Sequence, residues 1–363
     1  MSHYEERLEQ DQQEIRSRVR SVSETVEEAL KESIQTVLSG DEASAGKVIL
    51  GDLPINREIR SIDGLCHAFV AQHLPSAGHL RFVSSVLRLN VELERVGDYA
   101  VAIARETVQL SARPTGSVAR DIELIGDQAR RLLHQALQAY NEGNAELARG
   151  TKMLAKQVDT TFQKVFADLL QEGEKGAWPL RDIFAFLVIF NRLGRVSDHA
   201  KNICEDTLFA VAGETKGAKM YRILFVDRGN DALSQLAKAF ANKAFSEHGV
   251  FSSAGWQPAD SVRPAVEVFM DQQKLDGQNL QTRTLGKSVD ELAEYHVIVG
   301  LEGNLREHIP EVPFHTVLLN WDVGEIPQEL DQERSIALLE ESLKKLSVES
   351  RELMETMRGK EVS

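Results

Sequence analysis

Glu94 and Asp98 stand four residues apart in the run from Leu87 to Glu106, LRLNVELERVGDYAVAIARE. That spacing sets two carboxylates on one face of a helix, one turn apart. Hard cations take oxygen ligands, and carboxylates on adjacent bundle helices build such a site without loops. The same pair also suits a solvated face, held to Arg95 or Arg105 for roughly a few tenths of a kcal/mol. Asp198 lies in a second run of the same design, LVIFNRLGRVSDHAKNICED, Leu187 to Asp206. A different chemistry is offered by Ile223–Ser234, ILFVDRGNDALS, a strand, a glycine loop and a helix start. Backbone N–H groups and a helix N-terminus in that order face an anion. Here the loop itself carries carboxylates, Asp227 and Asp231, beside Arg228, Gly229, Asn230 and Ser234.

The elements that must position these groups follow from the apolar spacing. Leu89, Leu93, Val96, Ala100 and Ile103 recur at helical intervals. Arg195, Val196, Asp198, Ala200 and Ile203 repeat the register of Arg95, Val96, Asp98, Ala100 and Ile103 about one hundred residues later. A helix copied at that distance implies a copied module. Each copy has two further helices before it. In the first copy they span about Tyr4–Leu38 and Glu42–His73, the second with a kink expected at Pro54. In the second they span about Val118–Asn141, striped by Leu124, Ala129, Leu132, Leu133 and Leu137, and about Ala145–Gln171. The stripe of the latter is Leu147, Leu154, Val158, Phe162, Phe166 and Leu170. Ser39-Gly40-Asp41, Pro75, Pro114-Thr115-Gly116, Asn141–Asn144 and Gly173–Pro179 are the breaks. Long amphipathic helices with short turns make antiparallel bundles.

After a polar hinge at Gly213–Gly217 the pattern changes. Short apolar runs at Arg222–Val226, Gly249–Ser252, His296–Leu301 and Thr316–Leu319 alternate with helical segments, about Ala232–Glu247 and Ala265–Met270. That alternation describes a small α/β domain with a parallel sheet. A charged helix with Ile336, Leu339, Leu343, Leu346 and Leu353 on one side follows, to cap the domain or form a coiled contact. The expected fold is therefore multi-domain, all-α tandem three-helix bundles followed by a small α/β domain and a C-terminal helix. The boundaries are 1–113 and 114–212 for the bundles, 213–219 for a linker, 220–330 for the α/β domain and 331–363 for the helix and tail.

A formal net charge of −14 over 363 residues argues against general nucleic-acid binding, which needs cationic surface. It fits cation binding or docking on a basic partner. Two cysteines, Cys66 and Cys204, sit in apolar helical patterns and imply no disulfide framework, as in a reducing cytosol. The polar start MSHYEERLEQ is unlike a signal peptide, and the apolar run Ile183–Phe190 is too short for a bilayer. A soluble cytoplasmic protein without membrane insertion is expected.

The segments Glu94–Ala100 and Arg195–Ile203, with Asp52-Leu53-Pro54-Ile55-Asn56 and Pro75–Arg81, resemble the paired signature of the PhoU family over about Glu5–Ala212. The resemblance implies a cytoplasmic regulator that couples a phosphate transporter, through its ATPase, to a sensor kinase, often as a homodimer. It also implies divalent or iron cations on ExxxD faces, here Glu94 and Asp98, with Asp198, Asn202 and Glu205 as the second set. Gly194 stands where the pattern wants a carboxylate, so the second site should be weaker or absent. His199 is expected at the helix surface or in packing, and Cys204 in the core.

The region Arg222–Pro327 is similar to low-molecular-weight tyrosine phosphatases and thioredoxin-type arsenate reductases, whose loop reads C-x5-R-[ST]. Gly229, Asn230 and Ser234 match; Asp227 replaces the cysteine and Leu233 the arginine. The reaction needs a thiolate and a cationic clamp on the oxyanion. Loss of both implies a non-enzyme, a domain kept for binding or regulation. Asp322 falls near the family's general-acid position without its proline. Two other functions stay open: an active reductase or phosphatase fused to a regulator, and a metal-responsive bundle.

Overall fold

The computed structural model describes residues 3–214, 220–277, 280–313, 316–327 and 331–358, with the backbone alone at 3, 4, 156–164, 167 and 290. The chain forms two compact units, Met1–Lys216 and Gly217–Ser363. Thr215–Lys219 of the expected linker, residues 328–330 and the tail 359–363 lie outside the described residues.

The first unit is six helices: α1 (His3–Ser39), α2 (Glu42–Gln72), α3 (Ala77–Gln109), α4 (Gly116–Glu142), α5 (Ala145–Glu174) and α6 (Leu180–Ala212). Gly40 ends α1 at φ +74°, a conformation that costs glycine nothing. Asp41 then caps α2, accepting the Ser44 N–H at 3.0 Å, and Asn144 caps α5 by accepting the Leu147 N–H at 3.0 Å. Pro54 sits inside α2 without ending it. The two helical trios share one core, which runs from Leu8 on α1 to Leu208 on α6. Its centre is the repeated helix: Leu89, Leu93, Val96, Ala100 and Ile103 on α3, and Val196, Ala200 and Ile203 on α6, are all fully buried. Cys66 and Cys204 are buried in the same core, as free thiols.

Two stripes read from the sequence are corrected. On α4 Leu124 is exposed, and Ile122 and Ile125 are inside. On α5 Leu154, Phe166 and Leu170 are exposed, while Ala148, Thr151, Ala155, Val165 and Leu169 face the core. Both sets obey helical spacing. The inner one begins with small side chains, which let α5 approach its neighbours closely, so side-chain size misleads about which stripe is buried. Val158 and Phe162 have side chains outside the described residues.

The second unit contains β1 (Tyr221–Asp227), α7 (Leu233–Ala244), β2 (Gly249–Gly255), α8 (Pro264–Gln272), a single turn α9 (Val289–Leu292), β3 (Val297–Gly300), β4 (Val317–Asn320) and α10 (Gln332–Arg358). The four strands are parallel, in the order β2-β1-β3-β4. β2 runs three residues beyond its apolar start. Alternate residues of β1 enter opposite cores: Ile223 and Phe225 pack with α7, α8 and α10, Leu224 and Val226 with Leu285, Leu292 and Ile298. α10 caps this sheet face, burying Leu339, Leu346 and Met354. The strand order reverses between β1 and β3, and in open α/β sheets the crevice beyond that point receives ligands.

Candidate functional site

The residues expected to hold a cation fall in three places. Glu94 and Asp98 are exposed on α3 and face Asp52 of α2, an element that spacing within α3 could not reveal. α2 lies close here: a Cβ on Gly97 would stand 3.4 Å from Asp52 Oδ1. Asp52 Oδ2 accepts from Asn56 Nδ2 at 2.6 Å. Asp52 Oδ1 and Asn56 Oδ1 are buried atoms without a hydrogen-bond partner among the described residues. Burial pushes the Asp52 carboxyl up, the charges of Asp98 and Glu94 push the same way, and Arg105 opposes them. The face thus gathers three carboxylates, Asp52, Glu94 and Asp98, with Arg105 as the opposing charge.

Asp198 and Asn202 do not join it. Asp198 is exposed and pairs with Arg195 at 3.3 Å. Asn202 lies at the seam between α3 and α6, where its Nδ2 donates to Glu92 at 3.2 Å. His199 bonds the same Glu92 through Nδ1, and its Nε2 meets Tyr99 Oη at 3.2 Å. Glu205 is tied to Lys152 at 2.8 Å. α6 runs antiparallel to α3 with Tyr99 and His199 at the crossing, and Asp198 and Asn202 take partners other than Glu94 and Asp98. Among the described residues no three His, Cys, Asp or Glu side chains converge closely enough to enclose a metal ion. Spacing within either helix does not bring Asp52 and Asn56 beside Glu94 and Asp98; the passage of α2 along α3 does.

In the α/β unit the loop after β1 is closed on itself. Asp227 is buried, and its two carboxylate oxygens accept the backbone N–H groups of Asn230 and, at 2.8 Å, Ser234. Burial is the main cause that raises the Asp227 carboxyl to about 7; the Ser234 amide lowers it and the charge of Glu302 raises it. Glu302, following β3, takes the Arg228 N–H at 3.0 Å. The chain's own carboxylates therefore occupy amides that would otherwise face an anion. Asn230 adopts φ +49° with its side chain inside, donating to Ser234 Oγ at 2.8 Å and accepting the Arg283 N–H at 2.8 Å. Gly255 is required beneath it, since a Cβ there would lie 2.7 Å from the Asn230 nitrogen.

The cations near the loop are committed elsewhere. Arg228 turns to Gln257 Oε1 at 3.0 Å. Arg263 pairs with Asp231 at 2.7 Å and donates to the Ile326 carbonyl at 2.7 Å. Leu233 is fully buried in the core, and Asp322 is exposed. Of the six loop residues singled out in the sequence, Asn230 and Ser234 bond Asp227, while Arg228 and Asp231 turn to Gln257 and Arg263.

Comparison with known proteins adds the family. Residues 19–107 and 122–207 each match the PhoU domain. The helical unit belongs to the PhoU domain family. It is similar to the phosphate-specific transport system accessory protein PhoU homolog of Pseudomonas putida, 28% identical over 214 residues, covering 58% of this chain and 83% of that one. The crystal structure of PhoU from Pseudomonas aeruginosa is similar at TM-score 0.54 and 27% identity, over 57% of this chain and 99% of that chain. Another likeness, to the tyrosine phosphatase Wzb from Escherichia coli K30 in complex with sulphate, has TM-score 0.31 and 15% identity, over 37% of this chain and 99% of that chain. Within the PhoU unit, Asp98 and Asp198 occupy equivalent positions, but Glu94 is answered by Gly194. Among the described residues no helix is long and apolar enough to cross a membrane.

Proposed function

We propose that this chain is a PhoU-type regulator of phosphate uptake and phosphate-responsive signalling. It works in the cytoplasm, as a homodimer, through contacts with a phosphate transporter's ATPase, a sensor kinase, or both. The α/β unit serves as a binding or regulatory module without catalysis. The observation that carries the first part is the duplicated PhoU domain, together with relatives named as phosphate transport accessory proteins. The second part is supported by Asp227, whose carboxylate is spent on loop amides, and by Leu233, which lies in the core where a phosphatase needs its cation. Deleting the gene in its host should uncouple uptake of radiolabelled phosphate from external supply; unchanged uptake and unchanged response to starvation would overturn the reading.

A cation on the α2–α3 face is a second proposal, favoured by the orphaned Asp52 Oδ1 in the field of Asp98 and Glu94. Glu94 and Asp98 would hold a divalent or iron ion there, beside Asp52 and Asn56. The ion would neutralise the face and join α2 to α3.

A further inference from the structure

A cavity of about 290 Å³ opens in the helical unit between α1, α3 and the end of α4. Its charged lining is Arg16 and Arg20, one turn apart on α1; among the described residues no carboxylate lines it. Gln13, Ser17 and Asn141 add neutral polar groups, and Phe82, Val86 and Tyr140 line the rest. In a chain of net charge −14, a wall with cations alone asks for a reason. The larger cleft between α1 and α4 has both signs together, with Glu27 bonded to His134 at 3.0 Å.

Neighbouring arginines are already neutralised. Arg18 holds Glu58 at 2.7 Å and Glu14 at 4.0 Å, and Arg88 holds Asp206 at 3.6 Å. Neither Arg16 nor Arg20 has an ion-pair partner among the described residues. Arg16 lies over the buried Phe82 ring, its guanidinium carbon 4.3 Å from the centroid. Stacking uses the flat face of the guanidinium and leaves its N–H groups at the edge for an anion.

The second PhoU domain shows that the bundle does not demand these cations. Gly40 and Gly143, left-handed at φ +74° and +62°, follow α1 and α4 and set the alignment. On it the buried Val19 and Leu30 correspond to the buried Ile122 and Leu133. Arg16 then corresponds to Ala119 and Arg20 to Glu123. One cation is lost in the second domain and the other is replaced by a carboxylate.

We propose that this cavity binds a compact tetrahedral oxyanion of phosphate type, free or as a monoester, between the guanidinium groups of Arg16 and Arg20. Two planar forks one turn apart present paired N–H groups to phosphate oxygens, the bidentate match that arginine makes and lysine does not. The Ser17 hydroxyl and the Gln13 and Asn141 amides offer further donors. The volume lies at the small end of the range for ligand pockets, as a ligand of this size requires. The bound anion would join α1 and α3 of the first PhoU domain to the end of α4 in the second. This inference goes beyond the regulator reading and stands without it.

The test uses the full chain in equilibrium dialysis, at fixed ionic strength, against radiolabelled inorganic phosphate and against glycerol 3-phosphate. Saturable binding of at least one is expected, and the tighter of the two tells whether the anion is free or esterified. Arg16→Gln/Arg20→Gln changes two exposed positions and should weaken binding at least about tenfold. Arg57→Gln/Arg60→Gln removes the same charge from exposed positions on α2 and should leave affinity within about twofold. The anion should also raise the Tm of the wild type and not that of the Arg16→Gln/Arg20→Gln variant. The proposal is overturned if neither anion binds saturably at millimolar concentration, or if the α2 variant loses as much as the α1 variant. It is equally overturned if Arg16→Gln/Arg20→Gln lowers stability while the wild type binds no anion, which would assign both arginines to the partial negative charge at the end of α4. Phosphate uptake in the deletion strain tests the regulator reading separately, so either can fail alone.

Discussion

Tyr99 and His199 occupy equivalent positions in the two PhoU domains and meet each other across the α3–α6 seam, with ring centroids 5.3 Å apart and Tyr99 Oη 3.2 Å from His199 Nε2. The positions around them repeat the relation. Glu92 of the first domain bonds His199 of the second, and Arg192 of the second lies over the Tyr99 ring at 5.4 Å. Residue i meets j′ and j meets i′, the pattern of a two-fold interface made within one chain. The pseudo-axis passes between the two rings, and it fixes which faces of α3 and α6 are left outside.

Tyr99→Phe removes the hydroxyl from this crossing and leaves the ring. The expected loss is about 1 kcal/mol in urea unfolding followed by helicity, the usual net worth of such a bond. Thr25→Ala, an exposed hydroxyl on α1, is the control and should change stability by less than about 0.5 kcal/mol.

The same seam should make stability depend on pH. Asp206, mostly buried on α6 opposite Arg88 at 3.6 Å, has its carboxyl raised from 3.8 to about 6 by burial, against the pull of Arg88 and with Glu92 and Glu205 adding to the rise. A group whose folded pKa lies above its unfolded one stabilises below the unfolded value and loses that contribution as pH rises through the folded one. The seam should therefore weaken between pH 3.8 and about 6, by about 3 kcal/mol at most. Asp206→Asn should flatten that segment of the stability–pH curve; an unchanged slope would assign it to other groups.

α10 holds the open face of the parallel sheet. Leu339→Ala removes a fully buried side chain between α10 and the sheet core and should cost about 2–5 kcal/mol. Ile336→Ala, at a partly buried position of the same helix, should cost less. Chemical denaturation monitored at Trp321 fluorescence reads both, because that indole packs in the same core.

The α2–α3 carboxylates give a separate expectation. Purified chain should carry a divalent or iron ion in larger amount than the Glu94→Ala/Asp98→Ala variant prepared in parallel. Equal content by elemental analysis would remove the cation from this face.

Much of this was legible in the residues. The stripe from Leu89 to Ile103 and its echo at Val196 and Ile203 marked the two central helices, because large aliphatics at helical spacing had only one core to enter. Asp227 at the end of the first strand and Leu233 in the arginine's place were equally plain. α5 was misread because Ala148, Thr151 and Ala155 carry little hydrophobic signal, although small size is what close helix packing requires. Asp52 was overlooked as a donor since its meeting with Glu94 and Asp98 depends on how α2 and α3 pass each other, not on spacing within either. Glu302 entered the loop for a like reason: β3 lies beside β1 only once the sheet is formed. That Asp227 turns inward to accept two amides follows from the left-handed backbone at Asn230, a single torsion that composition does not announce.

We propose that this chain regulates through surfaces, with no turnover at the β1–α7 loop. Phosphate uptake in the deletion strain, complemented by full-length alleles, tests it most directly. Wild type and Asp227→Asn should both restore the dependence of uptake on external phosphate, and neither purified protein should hydrolyse an aryl phosphate. Measurable hydrolysis by the wild type that Asp227→Asn abolishes, with loss of complementation by the same allele, would contradict the claim.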